Sequence, residues 1–383
     1  MLTAVRLWWP LLLGVLSIQL GNGLQTTAVG LRIDAAGFSA GQIALVMGGF
    51  YAGQVLASLF ASRVIAGIGH VPAYVVFASV LALSPLLFLL ADDPFTWTVT
   101  RFAIGFGLAG IFVTIESWLN DRSSNEMRGR VFAVYIWIQL LGLMAAQFLV
   151  PAVAGDLTLA FLLVVAFGAL AIAPVVLGGT PRPQRHPFAK ASFRVLIAAS
   201  PVGVAGAVVS GFVWAVVMSM SPIYAQRTGF DAAGVAVFVA AAVFGGLLLQ
   251  GPIGWLSDMR DRRAVLCGAS SLAALAALAG ALAGTSHSIA LVAIMAVGGL
   301  TFPFYAVAIS HVNDRLDAPQ RVPASGAMIL LFGIGSILGP VAGSAAMAAA
   351  GPSGFFVVLA AVTAAFGGFA AYRLVTARPS AAQ

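Results

Sequence analysis

Charge is scarce in this 383-residue chain: only 8% of its residues are Asp, Glu, Lys or Arg, against about 25% in a typical soluble domain. Thirty-one charged side chains (19 basic, 12 acidic) cannot cover a water-soluble surface of this size. Lysine is almost absent, Lys190 being the single one, and cysteine is represented by Cys267 alone. One thiol inside an apolar run excludes an intramolecular disulfide framework and reads as a small buried hydrophobe. The four histidines, His70, His186, His287 and His311, are scattered without metal-site spacing, and no G-x-S-x-G, P-loop or H-E-x-x-H motif occurs. The chain therefore reads as neither an enzyme nor a metalloprotein, with no catalytic residue, metal or cofactor expected. No secretory signal is visible, because the apolar run after Arg6 continues far past an h-region and lacks an A-x-A-like site.

What the chain has in abundance is apolar sequence. Hydrophobic residues make up 61% of it and the mean hydropathy is +1.03, which places it in a lipid bilayer. A hydrocarbon core near 30 Å needs about 20 helical residues per crossing. Turn and charge signals bound twelve such runs, near 8–30, 40–61, 71–91, 95–119, 131–151, 157–177, 199–225, 233–256, 264–284, 288–310, 324–348 and 354–373. None shows the ten-residue alternation of a membrane β-strand. The fold class expected is thus all-α and integral to the membrane.

The net charge of +7 is better explained by orientation than by nucleic acid, which is not an expected partner. With the N-terminus in the cytoplasm, sixteen basic residues fall in inner loops and two, Arg32 and Arg227, in outer ones, Arg101 lying inside a helix. That asymmetry predicts an even number of spans and both termini inside. Five of the seven tryptophans (Trp8, Trp9, Trp97, Trp118, Trp255) fall near span ends, where an indole prefers the headgroup level.

The halves repeat. Gly37-Phe38 and Gly53 recur 192 residues later as Gly229-Phe230 and Gly245, while Asn120-Asp121-Arg122 and Arg128 recur 193 later as Asn313-Asp314-Arg315 and Arg321. The polar, proline-bearing stretch 178–198 separates a six-helix lobe, 1–177, from a second, 199–383. Six plus six helices in parallel repeat is the footprint of a two-lobed secondary transporter.

Particular motifs then resemble the major facilitator superfamily over essentially the whole length. Gly254-Trp-Leu-Ser-Asp258-Met-Arg-Asp-Arg262-Arg263 is similar to the family's G-x-L-a-D-r-x-G-R-R loop, with Asp261 at the usual second glycine; the first-half copy is eroded to Gly69. Thr100-Arg101-Phe-Ala-Ile-Gly105 resembles the fourth-span motif with its intramembrane arginine. Glu116-Ser-Trp-Leu-Asn120 and Asn125-Glu-Met-Arg-Gly-Arg130 resemble the YcaD-like branch. The resemblance implies twelve helices in two pseudo-symmetric six-helix lobes that rock around a midplane site. It supplies no substrate.

Polar residues within spans mark candidate sites, because each needs a partner or a watery cavity. Gln19, Asn22, Gln25 and Thr26 make a stripe along the first span, with Gln139 on the fifth and Arg101 on the fourth. Trp137, Trp214 and Tyr305 are candidate aromatic contacts for substrate. Arg101 reads equally as a counter-ion and as a positioning cation. Glu116, near an inner span end, reads as one half of a gate with Arg128 or Arg130, as a transported-proton site or as a plain interfacial carboxylate, and Gly254, Asp258, Arg262 and Arg263 as a latch or as topological anchors. Together these predict a monomeric inner-membrane carrier of a small amphiphilic organic solute, coupled to a proton gradient, with export ahead of uptake. Two rivals stand beside it: uptake of an organic anion with Arg101 as counter-ion, and a transporter-like receptor or assembly factor that moves nothing.

Overall fold

Helix starts consume much of the scarce acid. Asp93 Oδ1 accepts from the N–H groups of Phe95 and Thr96, Asp156 from Leu159, Asp231 from Gly234 and Asp261 from Arg263. Each satisfies a donor that the first helical turn leaves without a partner. Hydrogen bonds from Thr96 hold the Asp93 carboxyl below the usual carboxylate range. At a fifth start, Ser39 Oγ accepts from Gln42 N–H while Gln42 Oε1 accepts from Ser39 N–H (2.8 Å). This reciprocal capping box accounts for Gln42 at the start of α2.

The computed structural model describes residues 2–122, 125–177, 193–284 and 286–376. These form α1 (Leu2–Ala35), α2 (Ala40–Ile68), α3 (His70–Leu83), α4 (Pro94–Arg122), α5 (Asn125–Gln147), α6 (Val150–Val153), α7 (Leu157–Leu177), α8 (Phe193–Ala199), α9 (Pro201–Arg227), α10 (Ala232–Met259), α11 (Arg262–Ala281), α12 (His287–Thr301), α13 (Phe304–Asn313), α14 (Ala318–Ala350) and α15 (Gly354–Thr376). No strand occurs among the described residues. A 3-10 turn, Ser84–Leu89, extends α3 past Pro85, and Pro303 caps the restart that splits the tenth run into α12 and α13. Each of the twelve runs read from the sequence coincides with helix.

Among the described residues, nine stretches are long and apolar enough to cross a bilayer, and one of them, 324–376, holds both α14 and α15. Val131–Gln147 of α5 is a shorter apolar helix, and α1 is diluted by Gln19, Asn22 and Gln25. The most apolar stretch, Thr158–Leu177, has a mean hydropathy of 2.7 and is also the least buried of the nine. A helix apolar on all sides and poorly covered by protein is one that lipid covers.

By packing, the chain divides into two compact units, Met1–Phe188 with Ala225–Ala240, and Ala189–Tyr224 with Ala241–Gln383. In the first, α2 packs on α4, α1 on α5 and α7, and α3 on α4 and α7. In the second, α11 packs on α15 and α12, and α14 on α13 and α15. The linker expected at 178–198 lies outside the described residues except for 193–198, which enter α8.

The repeat is visible as matched helix crossings. In the first unit a Cβ added at Gly53 would strike the carbonyl of Phe102, and one at Gly105 that of Phe50. In the second, Gly245 meets the Met295 carbonyl and Gly298 that of Ala242. Each pairing is the other shifted by 192 or 193 residues, so both notches let two helix backbones touch where lipid supplies no hydrophobic drive. Gly37 and Gly229, also 192 apart, both turn the chain at positive φ, 68° and 88°, a conformation that costs glycine little.

The tryptophans depart from the expected pattern. Trp9 and Trp255 are exposed near helix ends, but Trp8, Trp97 and Trp118 are almost fully buried. Trp97 Nε1 donates to the Ala91 carbonyl (3.0 Å) and its ring stands edge-on to Phe88 (4.9 Å). For Trp97 a partner for the N–H inside the protein removes the reason to turn toward the headgroups, whereas Trp8 Nε1 meets no partner among the described residues.

Candidate functional site

The polar seam expected along the first span forms where α1 crosses α5. Asn22 Nδ2 donates to Gln19 Oε1 (3.2 Å), and Gln19 Nε2 to Gln139 Oε1 (3.5 Å). Further along, Thr27 Oγ1 donates to Gln147 Oε1 (2.9 Å), and Gln147 Nε2 reaches the Gly23 and Leu143 carbonyls. Gln147 is thereby fully used in joining α1 to α5. The seam is otherwise incomplete: Asn22 Oδ1 and both amide atoms of the fully buried Gln25 meet no partner among the described residues. Leaving a buried polar group unmet costs about 1–3 kcal/mol. Thr26 is half-buried beside them.

Arg101 is fully buried in the α2–α4 crossing. Its guanidinium carbon lies 4.3 Å from the centre of the Phe50 ring, and Nη2 points at Met47 Sδ (3.9 Å). Nε and Nη1 have no acceptor among the described residues. Gly53 and Gly105 flank this point, so the backbones close tightly around a cation whose donors are left over. Glu116, fifteen residues along α4, accepts from Tyr135 Oη (3.1 Å) on α5. The side chains of Arg128 and Arg130, its expected partners, lie outside the described residues. Next to it, Ser117 Oγ and His70 Nε2 are 3.0 Å apart.

In the second unit the same crossing has a different chemistry. Gln19 and Gln139 correspond by the repeat to Gly211 and Phe332. The Phe332 carbonyl abuts Gly211 as closely as two helices allow, and the Phe332 ring stands edge-on to Tyr305 (5.4 Å). Trp214, one turn beyond Gly211, tilts against Phe302 (4.7 Å). Thus Trp214 and Tyr305 each stand in an aromatic pair, whereas Trp137 is half-exposed on the first unit. Reading polar residues and tryptophans span by span misses Phe332, although adding the repeat offset of 193 to Gln139 points to it.

The charged loop motif assembles within the second unit. Arg262 donates from Nη1 to Asp258 Oδ1 (3.0 Å) and Ser257 Oγ (2.9 Å), and from Nε to Asp314 Oδ2 (2.7 Å). One guanidinium so joins the end of α10, the start of α11 and the turn after α13. The Gly254 carbonyl accepts from Ser257 Oγ (2.9 Å). Arg263 is bidentate to Asp261 (Nη2 to Oδ2, 2.7 Å) and donates to the Arg373 carbonyl. Asp261, where the family motif has glycine, caps α11, and the Arg263 hydrogen bond holds its carboxyl below the ordinary range. Asp314 belongs to the repeated Asn-Asp-Arg tripeptide, and its bond to Arg262 supplies a reason for that tripeptide in this half. Beside the cluster, the buried His311 ring faces Arg315 Nη1 (2.7 Å).

Comparisons with known proteins agree with this architecture. The family model described as Major Facilitator Superfamily matches residues 11–248 and 203–383. The uncharacterized MFS-type transporter YcaD of Salmonella paratyphi B is 26% identical over 355 residues, covering 92% of each chain. Among solved structures, a bacterial homolog of the human lysosomal transporter Spinster, inward-facing and unoccupied, superposes with a TM-score of 0.76 at 19% identity, over 99% of both chains. A mutant of the nucleoside transporter NupG does so at 0.74 and 15%, over 95% of this chain and 99% of that one. These two likenesses bear on the fold alone. The chain belongs to the Major Facilitator Superfamily and is a multi-span secondary transporter, not an enzyme.

Proposed function

We propose that this transporter moves a small amphiphilic organic solute across the inner membrane by alternating access, linked to protons, with export as its direction. The observation that carries this reading is the pair of matched crossings. The repeat that holds Gln19, Asn22 and Gln139 in the first unit holds Gly211, Phe332, Tyr305 and Trp214 in the second. The unmet amide atoms of the first unit suit the polar part of such a solute. A sugar site would call for paired polar groups on both units. Glu116, whose recorded hydrogen bond comes from one phenol, is the proposed proton carrier. Both termini are placed in the cytoplasm, since fourteen more basic residues fall on that side than on the other. The two basic residues at the opposite end are each neutralised, Arg32 by Asp92 and Arg227 by Asp34. The working unit is proposed to be a monomer.

The test is thermal unfolding of the purified chain against lipophilic cations, organic acids, sugars and amino acids, followed by flux in proteoliposomes. A ligand at ~100 times its Kd adds about 2.7 kcal/mol to the folded state. Stabilisation by amphiphiles that Asn22→Ala and Trp214→Ala both abolish supports the reading, and Glu116→Gln should uncouple flux from an imposed pH gradient. Stabilisation by sugars alone refutes it. A second reading, uptake of an organic anion, rests on the unmet Nε and Nη1 of Arg101. In that case carboxylates stabilise the chain and Arg101→Lys, which lacks the fork, changes substrate preference.

A further inference from the structure

Away from the polar seam, the end of α1, the 3-10 turn after α3 and the start of α7 enclose a recess of about 720 Å³ in the first unit. That volume lies within the range of small-molecule sites. Its lining is mixed. Arg32 and Asp92 form an ion pair on one side, and Asp156 and Thr158 stand on another. Phe88 and Phe161 stack at 4.6 Å between ring centres, buried and backed by Trp97. Since Arg32 is neutralised by Asp92, Asp156 leaves the recess with a net negative charge. Asp156 Oδ1 accepts from the Leu159 N–H, which orients the carboxylate without cancelling its charge. The rim is apolar: Leu89 and Leu90, 41% and 76% exposed, adjoin or belong to a stretch apolar enough to cross a bilayer.

We propose that this recess binds the ammonium head of an amphiphile, with Asp156 and Asp92 facing the cation and Leu89 and Leu90 its chain. The net charge disfavours an anion as the sole ligand. Among the described residues no group of three metal-ligating side chains occurs, and the space far exceeds what a bare metal ion needs. An apolar rim beside a carboxylate favours an organic cation, whose carbon surface Leu89 and Leu90 can cover, over a strongly hydrated inorganic one. Such a cation has two sources. One is a phosphoethanolamine lipid, whose phosphate would meet Arg32, and the other a free alkylammonium. None of these residues belongs to the proposed transport site, so the inference stands apart from the transport reading.

The experiment is thermal unfolding of the full chain in maltoside micelles, titrated with phosphatidylethanolamine, phosphatidylglycerol or tetrapropylammonium chloride against potassium chloride. Phosphatidylethanolamine should raise the unfolding midpoint where phosphatidylglycerol at the same mole fraction does not. Asp156→Asn should move that titration up to about fivefold to higher lipid, the effect of losing one exposed ion pair. A matching response to tetrapropylammonium identifies the site as open to free cations, and its absence identifies a lipid site. Asp156→Asn also alters a helix cap. Asp92→Asn, which caps nothing, therefore carries the test if the first variant does not fold, and Asp156→Glu should titrate as the native chain. The proposal is overturned if no ammonium compound shifts unfolding, if phosphatidylglycerol acts equally, or if both Asn variants titrate unchanged.

Discussion

Replacing Arg101 by methionine separates a functional cation from a structural one. The guanidinium is fully buried, touches the Phe50 ring and Met47 Sδ, and leaves Nε and Nη1 without acceptors among the described residues. Two unmet donors cost roughly 2–6 kcal/mol at about 1–3 each, and the cation–π contact returns about 2 kcal/mol when desolvated. Methionine fills similar space without a charge, and its sulfur against Phe50 contributes about 0.3–1.5 kcal/mol. Arg101→Met should therefore leave the chain as stable as before or stabilise it, by roughly 0–5 kcal/mol on these terms. If the spare donors serve the solute or the coupled proton, flux should fall about 10- to 100-fold, the loss of a charge-assisted hydrogen bond. The assay pairs thermal unfolding in detergent with flux in proteoliposomes. A variant destabilised by more than about 1 kcal/mol that still transports would refute the reasoning, since the cation would then be a satisfied part of the scaffold.

Gly105→Ala and Gly298→Ala place a Cβ against the Phe50 and Ala242 carbonyls; each should cost about 1–3 kcal/mol of overpacking. Gly268→Ala, with nothing near its added Cβ, should be neutral or gain about 0.4–1 kcal/mol, all three read by thermal unfolding. A double-mutant cycle of Arg262→Ala with Asp314→Ala should give a coupling of about 1 kcal/mol or less that shrinks as salt rises, because the pair is part-exposed. Asp261→Ala should cost about 1 kcal/mol through loss of the α11 cap. Its carboxyl is held below the unfolded value, so its contribution is present above the unfolded pKa and lost as pH falls through the folded one. A pH series of the unfolding midpoint should accordingly show a steeper acid-side loss for the native chain than for Asp261→Ala.

Helix positions are legible in the sequence because they depend on quantities summed over some twenty residues, which a local irregularity does not disturb. The breaks at Pro85 and Phe302-Pro303 bend or restart a helix without ending its run. Partners are less legible. Tyr135, nineteen residues on from Glu116, reaches it without any signal in the spacing, while the side chains of Arg128 and Arg130 lie outside the described residues. Facing positions across two helices depend on crossing angle and register, and neither is written in the spacing along one segment of sequence. Gln42 looks like a membrane amide by position, although Ser39 three residues before it is a capping-box signal. The buried tryptophans escape because closeness to a span end does not say whether a ring turns outward or inward.

The internal repeat offers a control that a single helix bundle lacks. Two segments of one chain fold into the same crossings, so whatever packing requires should occur twice. Gly53 and Gly105 do, as Gly245 and Gly298, and they are accounted for by backbone contact alone. What occurs once cannot be explained by that contact. Arg101 corresponds to the fully buried Ile294, and Gln19 and Gln139 to Gly211 and Phe332. A residue without charge or amide serves at each of these places in the second unit, so the fold does not demand a cation or an amide there. Burying one regardless lowers stability in the first unit, and a feature that costs stability where a cheaper solution is in use 193 residues away points to selection for something other than folding. On that argument the polar recognition proposed for this chain falls to the first unit, and substitution of its unmatched residues by their repeat counterparts, as in Arg101→Ile, should preserve the fold while removing transport.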